Sequence, residues 1–243
     1  MQKGYNTDPT HIGVKDYARE YQGLSHLSEL YDERWTHRRL HMTAADHDPK
    51  LYQYINSLIR ASGKRAVLQF NRIDFRLHWI KANFPRAIIV HLYRHPREQW
   101  MSIQKDGGWV AKNYVYKPGD FLNLFYLITW AKDLRCIFPF LEPRGQHPYA
   151  LHYFLWRLSY IYGNQFADHT IAYEKLVKDF SVILPDILGK LNIAVNDETM
   201  VRLEKLNTGE IKETWEAYAT PDWFTRIETE CDRTINVFFK TEI

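Results

Sequence analysis

Two arginines, a histidine and a proline make up the short run Arg94-His95-Pro96-Arg97, and a serine follows at position 102. An arginine presents a planar fork of donors suited to bidentate recognition of phosphate, and a serine hydroxyl can donate to the same oxyanion. The residues before the run, Ala87-Ile88-Ile89-Val90-His91-Leu92-Tyr93, are apolar and strand-like, and those after it are helix-like. Pro96 suits a first helical turn because it has no N–H to leave unsatisfied there. In an open parallel sheet, ligands sit beyond the carboxyl ends of the strands, where the next helix points its free amides. Arg94 stands at such an end. Ser102 lies eight residues further on, about one and a half turns into the helix, on the face shared with His95 and Glu98. The chemistry on offer is the binding of a phosphate-like anion. A plainer reading stays open: Arg94 pairs with Glu98 at the helix start, Arg97 is solvated, and Ser102 is an ordinary helical residue.

These residues need a sheet to hold them. Arg65-Ala66-Val67-Leu68-Gln69-Phe70 reads as a strand, a helix carrying Phe75, Leu77, Trp79 and Ile80 follows, and residues 87–93 read as a second strand. That order, strand, helix, strand, predicts a parallel sheet, and the unbroken hydrophobicity of 87–93 predicts a strand covered on both faces. Residues 169–173 read as one more strand. Helices are expected from Pro49 to Ser62 and over about 119–138, 147–166, 175–190 and 196–206, with 147–166 apolar nearly all round and therefore a central packing helix. Residues 1–48 read as an irregular lead-in with at most one helix, and 49–243 as the remainder of a single domain.

Composition narrows the function. The chain has 243 residues, 45% hydrophobic and 25% charged, enough for a sizeable core. A net charge of +3 falls well short of a nucleic-acid signature, so an anion site must be local. Two cysteines, Cys136 and Cys231, make no disulfide framework, which points to a reducing, cytoplasmic setting. No secretory leader is expected at the start, and no apolar stretch supplies a clean span of about 20 residues, so no membrane crossing is expected. His37 and His41 are four apart, with Asp46, His47 and Asp48 behind them; this is the one metal-like spacing, and it has no supporting pattern around it.

The string Phe84-Pro85-Arg86-Ala87-Ile88-Ile89-Val90-His91-Leu92-Tyr93-Arg94-His95-Pro96-Arg97, with Ser102 after it, resembles the 3′-phosphate-binding segment of sulfotransferases that use 3′-phosphoadenosine 5′-phosphosulfate. Ala172-Tyr173-Glu174-Lys175-Leu176 is similar to that family's Tyr-Glu-Asp-Leu segment at a strand end. Asn207-Thr208-Gly209-Glu210-Ile211-Lys212-Glu213-Thr214-Trp215 is similar to its late loop that closes over the nucleotide. The three segments stand in family order across about residues 65 to 240. The resemblance implies an α/β fold, a three-layer P-loop-NTPase-like parallel sheet flanked by many helices. It implies that Arg94 and Ser102 hold the 3′-phosphate, with Arg97 as the second turn arginine, Tyr173 near the adenine, and Lys212 as the basic residue of the late loop.

The implied activity is in-line transfer of a sulfuryl group from the nucleotide sulfate donor to an unidentified hydroxyl or amine acceptor, with no metal required. The family also carries a 5′-phosphosulfate loop between a strand and a helix near its N-terminus. Residues 1–60 offer no such turn, and Ser62-Gly63-Lys64 stands in the reverse order, after a helix and before a strand. The expectation is therefore a fold incomplete at the N-terminus, from truncation, degeneration or a loop supplied by another chain. Gln69 and Asn71 stand where cytosolic members often carry Lys and His, which leaves no His base there; Asp74 or His78 would serve only if they faced the strand ends, so the base stays unassigned. The competing class is a non-catalytic domain that binds adenosine 3′,5′-bisphosphate or serves as an interaction scaffold. A nucleotide kinase would need a P-loop and Mg²⁺ ligands that the chain does not display.

Overall fold

The structure, a computed structural model, describes residues 25–70, 73–104, 109–120, 122–206 and 214–241. Its helices in chain order are α1 (Pro49–Ala61), α2 (Leu77–Asn83), α3 (Pro96–Ile103), α4 (Leu127–Leu134), α5 (Pro148–Phe166), α6 (Tyr173–Lys178), α7 (Phe180–Lys190), α8 (Asp197–Leu206) and α9 (Pro221–Thr241). The described strands are β1 (Val90–Tyr93) and β2 (His169–Ala172). The fold is broadly α/β, mostly helical with a small parallel sheet of these two strands, paired Val90 with His169 through Tyr93 with Ala172. Two compact units divide the chain: described residues 25–32, 48–68 and 179–206 form the first, and the remaining described residues form the second.

In the first unit, α1 begins as its sequence requires. Asp48 Oδ1 accepts from Leu51 N at 3.0 Å, Pro49 sits in the first turn, and Leu51 and Ile55 are buried on one face. The helix ends at Ser62, whose Oγ lies 2.8 Å from the carbonyls of both Ile59 and Lys64 with one proton to donate between them, and Gly63 follows at φ +59°. Ser62-Gly63-Lys64 is thus a helix cap. The strand expected at 65–70 does not form. Arg65 is tied by its guanidinium to the Leu191 carbonyl, Val67 is 84% exposed, and no neighbouring strand offers these residues a described ladder; an apolar run without a partner strand leaves its backbone groups to water.

In the second unit, β1 and β2 rest on α5. Asp168 fixes their alignment: its Oδ2 accepts from Ile89 N at 2.9 Å, its Oδ1 accepts from Lys81 Nζ at 2.8 Å, and the amides of Asp168 and His169 both donate to the Ile89 carbonyl. His91 is buried against Gly163 of α5, where a Cβ would stand 2.2 Å from the imidazole Nδ1. The side chains of alternate residues point the other way, and there Leu92 is 53% exposed and Val90 is exposed as well. The expectation of cover on both faces is corrected accordingly: continuous hydrophobicity marks what a strand can bury, not what lies against it.

α5 is the central packing helix that its sequence predicts. Tyr149, Leu151, Leu155 and Leu158 are buried in one core with Trp100 of α3, Leu134 of α4, and Phe224, Cys231 and Ile235 of α9. The α9 helix is absent from the sequence expectation, although Pro221 at its start, Asp222 in its first turn, and Phe224, Ile227, Cys231 and Ile235 at helical spacing carry the signal. Two expected helices are shorter than their patterns. The Asn123 side chain accepts from Ile128 N at 3.0 Å and Thr129 N at 3.3 Å, so α4 starts only at Leu127 rather than near 119. Asp179 leaves helical geometry and its carbonyl receives Val182 N and Ile183 N, which splits 175–190 into α6 and α7. Among the described residues, no helix is long and apolar enough to cross a membrane.

Candidate functional site

The residues that the sequence marks as candidates for an anion site, Arg94 and Arg97, sit where β1 becomes α3. His95 is extended, at φ −52° and ψ +130°, and Pro96 opens the helix. Four contacts hold this turn. The His95 amide donates to Glu174 Oε1 of α6 at 2.8 Å, which ties the carboxyl ends of the two strands together. Trp156 Nε1 of α5 donates to the Arg94 carbonyl at 2.9 Å. His152 Nε2 lies 3.1 Å from the Pro96 carbonyl, and burial pushes its pKa down to about 4, so the neutral ring carries its proton on Nε2 and donates it. The fourth contact belongs to Arg97.

Arg97 Nε donates to Glu228 Oε1 at 2.8 Å and its Nη2 to Glu228 Oε2 at 2.7 Å and to Thr225 Oγ1 at 3.1 Å. Its guanidinium also lies over the rings of Trp215 (4.8 Å) and Phe224 (5.1 Å). The same Glu228 accepts from the Tyr149 hydroxyl. The Glu228 hydrogen bonds hold the Arg97 pKa above its ordinary range, and burial, followed by the Glu228 charge, raises that of Tyr149. Arg97 therefore turns toward α9 and fastens it to α3.

Arg94 behaves differently. Its side chain is 38% exposed, its Nη2 reaches Glu98 Oε2 at 3.4 Å, and its guanidinium stands over the Tyr173 ring at 5.5 Å. Tyr173, the first residue of α6, is itself partly open to solvent. The sequence-predicted pair Arg94 and Tyr173 is thus brought together by the parallel pairing of β1 and β2, whose ends lead into α3 and α6. Ser102 lies exposed in the last turn of α3 with its Oγ proton donated to the Gln99 carbonyl at 2.7 Å. Its donor serves its own helix rather than the Arg94 turn. Lys212, Asn71 and most of the late loop lie outside the described residues.

The sequence marks Glu98 as a helix-start partner for Arg94 and a neighbour of Ser102 on one helix face. Its side chain is 4% exposed, and beyond Arg94 it accepts from Thr214 N at 2.6 Å, Thr214 Oγ1 at 3.0 Å and Trp215 N at 3.3 Å. No spacing rule reaches across 116 residues to find that contact. Asp74 and His78 have their own partners. Burial raises the pKa of Asp74, which hydrogen-bonds Ser159 and faces His91, and His78 stacks on Phe166 at 5.0 Å. His37 and His41 do not share a helix face: the 3₁₀ turn Glu33–Thr36 ends before them, His37 Nδ1 meets Thr36 Oγ1 and His41 Nε2 meets the Tyr162 hydroxyl at 2.9 Å. Among the described residues, no group of three metal-ligating side chains gathers.

Chemically, the turn offers one accessible guanidinium beside an aromatic face at the carboxyl ends of two parallel strands. This is a binding geometry for one oxyanion, next to a flat group. No family model, no curated protein and no solved structure matches this chain.

Proposed function

We propose that the chain binds a 3′-phosphorylated adenine nucleotide, adenosine 3′,5′-bisphosphate or 3′-phosphoadenosine 5′-phosphosulfate, with the 3′-phosphate on Arg94 and the base toward Tyr173. One observation carries the reading: Arg94 leaves β1 with its guanidinium accessible over the Tyr173 ring, while its neighbour Arg97 is consumed in a pair with Glu228. The sequence resemblance supplies the identity of the nucleotide, and with it the family activity, sulfuryl transfer to a hydroxyl or amine acceptor. On this reading β1 and β2 belong to a three-layer P-loop-NTPase-like sheet, and they supply the 3′-phosphate side of it. Arg94 and Tyr173 support that half of the donor site, whereas Ser102 donates within its own helix and Arg97 pairs with Glu228. Ser62-Gly63-Lys64, the one superficial sequence match to a 5′-phosphosulfate cradle, is a helix cap.

The second reading, a non-catalytic nucleotide-binding or interaction domain, draws support from the open apolar face of β1 at Val90 and Leu92. Calorimetric titration with adenosine 3′,5′-bisphosphate tests what the two share. Wild-type chain should bind it, and Arg94→Ala should lose binding, by about 1.5–3 kcal/mol for a hydrogen bond to a charged group. Stability should change little, since the Arg94–Glu98 pair is partly exposed and worth less than about 1 kcal/mol. Folded wild-type protein that ignores the nucleotide ends the proposal.

A further inference from the structure

Beyond the residues of the nucleotide site stands a carboxylate with an unusual set of partners. Glu98 is nearly fully buried in α3, yet four donors converge on it, three of them from the turn at Thr214 and Trp215. Those three suffice to solvate the charge. The Arg94 contact is the longest, at 3.4 Å, and engages a single nitrogen of the guanidinium. Glu98 therefore needs nothing from Arg94, but Arg94, a long side chain with large rotamer freedom, is held by Glu98 on one edge and by the Tyr173 ring beneath.

From this arrangement we infer that Glu98 is the positioning residue of the Arg94 anion site: it orders the guanidinium so that its remaining donors face a 3′-phosphate. The inference rests on the nucleotide reading above. A guanidinium pre-ordered in its bound rotamer loses less freedom when a phosphate arrives. A carboxylate beside an anion site also acts in the opposite direction, by lowering the positive potential there. The three donors from Thr214 and Trp215 decide the balance, because they disperse the Glu98 charge while leaving its grip on Arg94.

The two effects predict opposite signs for one substitution. Glu98→Gln keeps the shape, removes the charge, and places an amide NH₂ where an acceptor stood. Positioning predicts weaker binding of adenosine 3′,5′-bisphosphate by about tenfold, the worth of ordering one rotamer-rich side chain. Adenosine 5′-monophosphate, which lacks only the 3′-phosphate, should bind wild type and variant alike, whereas a general loosening of the fold would weaken both. Glu98→Asp, which keeps the charge but withdraws it by one methylene, should show a smaller loss confined to the same probe, and it serves if the glutamine variant does not fold. A wild-type chain that binds the bisphosphate no better than the monophosphate overturns the nucleotide reading and this inference together. If Arg94→Ala abolishes the preference but the Glu98 variants bind the bisphosphate as tightly as wild type, or tighter, the nucleotide reading survives and the positioning role falls.

Discussion

Glu228 links three elements through one side chain, and its removal has a calculable consequence. Arg97 of α3 and Glu228 of α9 are 13% and 15% exposed, paired through two short N–H···O bonds, with the Tyr149 hydroxyl of α5 as a third donor. Glu228→Gln leaves a guanidinium buried between Trp215 and Phe224 without its counter-charge. Breaking one side of a buried pair costs about 3–5 kcal/mol, and the residual exposure here places the expectation near the lower end, about 3 kcal/mol. Arg97→Met should cost a similar amount through the stranded carboxylate. The double substitution, with both charges gone and the stem of residue 97 still apolar, should cost less than the sum, with a coupling of about 2 kcal/mol. Urea unfolding of the four proteins measures this directly, provided the denaturant slope is unchanged among them. Single losses below about 1 kcal/mol, or additivity within about 0.5 kcal/mol, would refute the claim that Arg97 is a structural clamp and would free it for the ligand. On the proposed nucleotide reading, the clamp also requires that Arg97→Met leave bisphosphate affinity as it is in wild type.

Two further outcomes follow from packing and burial. Gly163→Ala puts a methyl group 2.2 Å from the His91 ring; the overpacking cost of about 1–3 kcal/mol should exceed the helix-propensity gain of about 1 kcal/mol, so the melting temperature should fall, and a rise would mean that β1 can lift from α5. Burial holds His147 and His152 down to about 4 from 6.5, so unfolding lets protons bind first to the unfolded chain. Their contribution is present in full above pH 6.5 and is lost as pH falls from 6.5 toward 4, about 3 kcal/mol for His152 alone. His152→Gln, which keeps a donor for the Pro96 carbonyl, should flatten that slope in urea titrations, and parallel curves for the two proteins would contradict the assignment.

Local pattern was enough to locate α1, α5 and α8, because each is a continuous helical period with its own cap or proline start. It was also enough to place Arg94 at a strand end beside a helix start. It overestimated 65–70 and the length of α4. A strand exists only when another strand accepts its hydrogen bonds, and a helix can be stopped by one side chain, Asn123, that competes for its amides.

The roles within the site divide in the same way. Sequence alone placed an arginine-rich turn after the strand read over 87–93 and put the aromatic Tyr173 at the end of the strand read over 169–173, since both depend on neighbours in the chain. Only the tertiary structure decided that Tyr173 lies under Arg94, that Arg97 belongs to Glu228, that the Ser102 hydroxyl serves its own helix, and that Glu98 reaches Thr214. Two arginines three residues apart carry the same chemistry in a sequence. Which one stays open to an anion depends on which carboxylate the packing of α9 brings within hydrogen-bonding distance, and that contact spans 131 residues of chain.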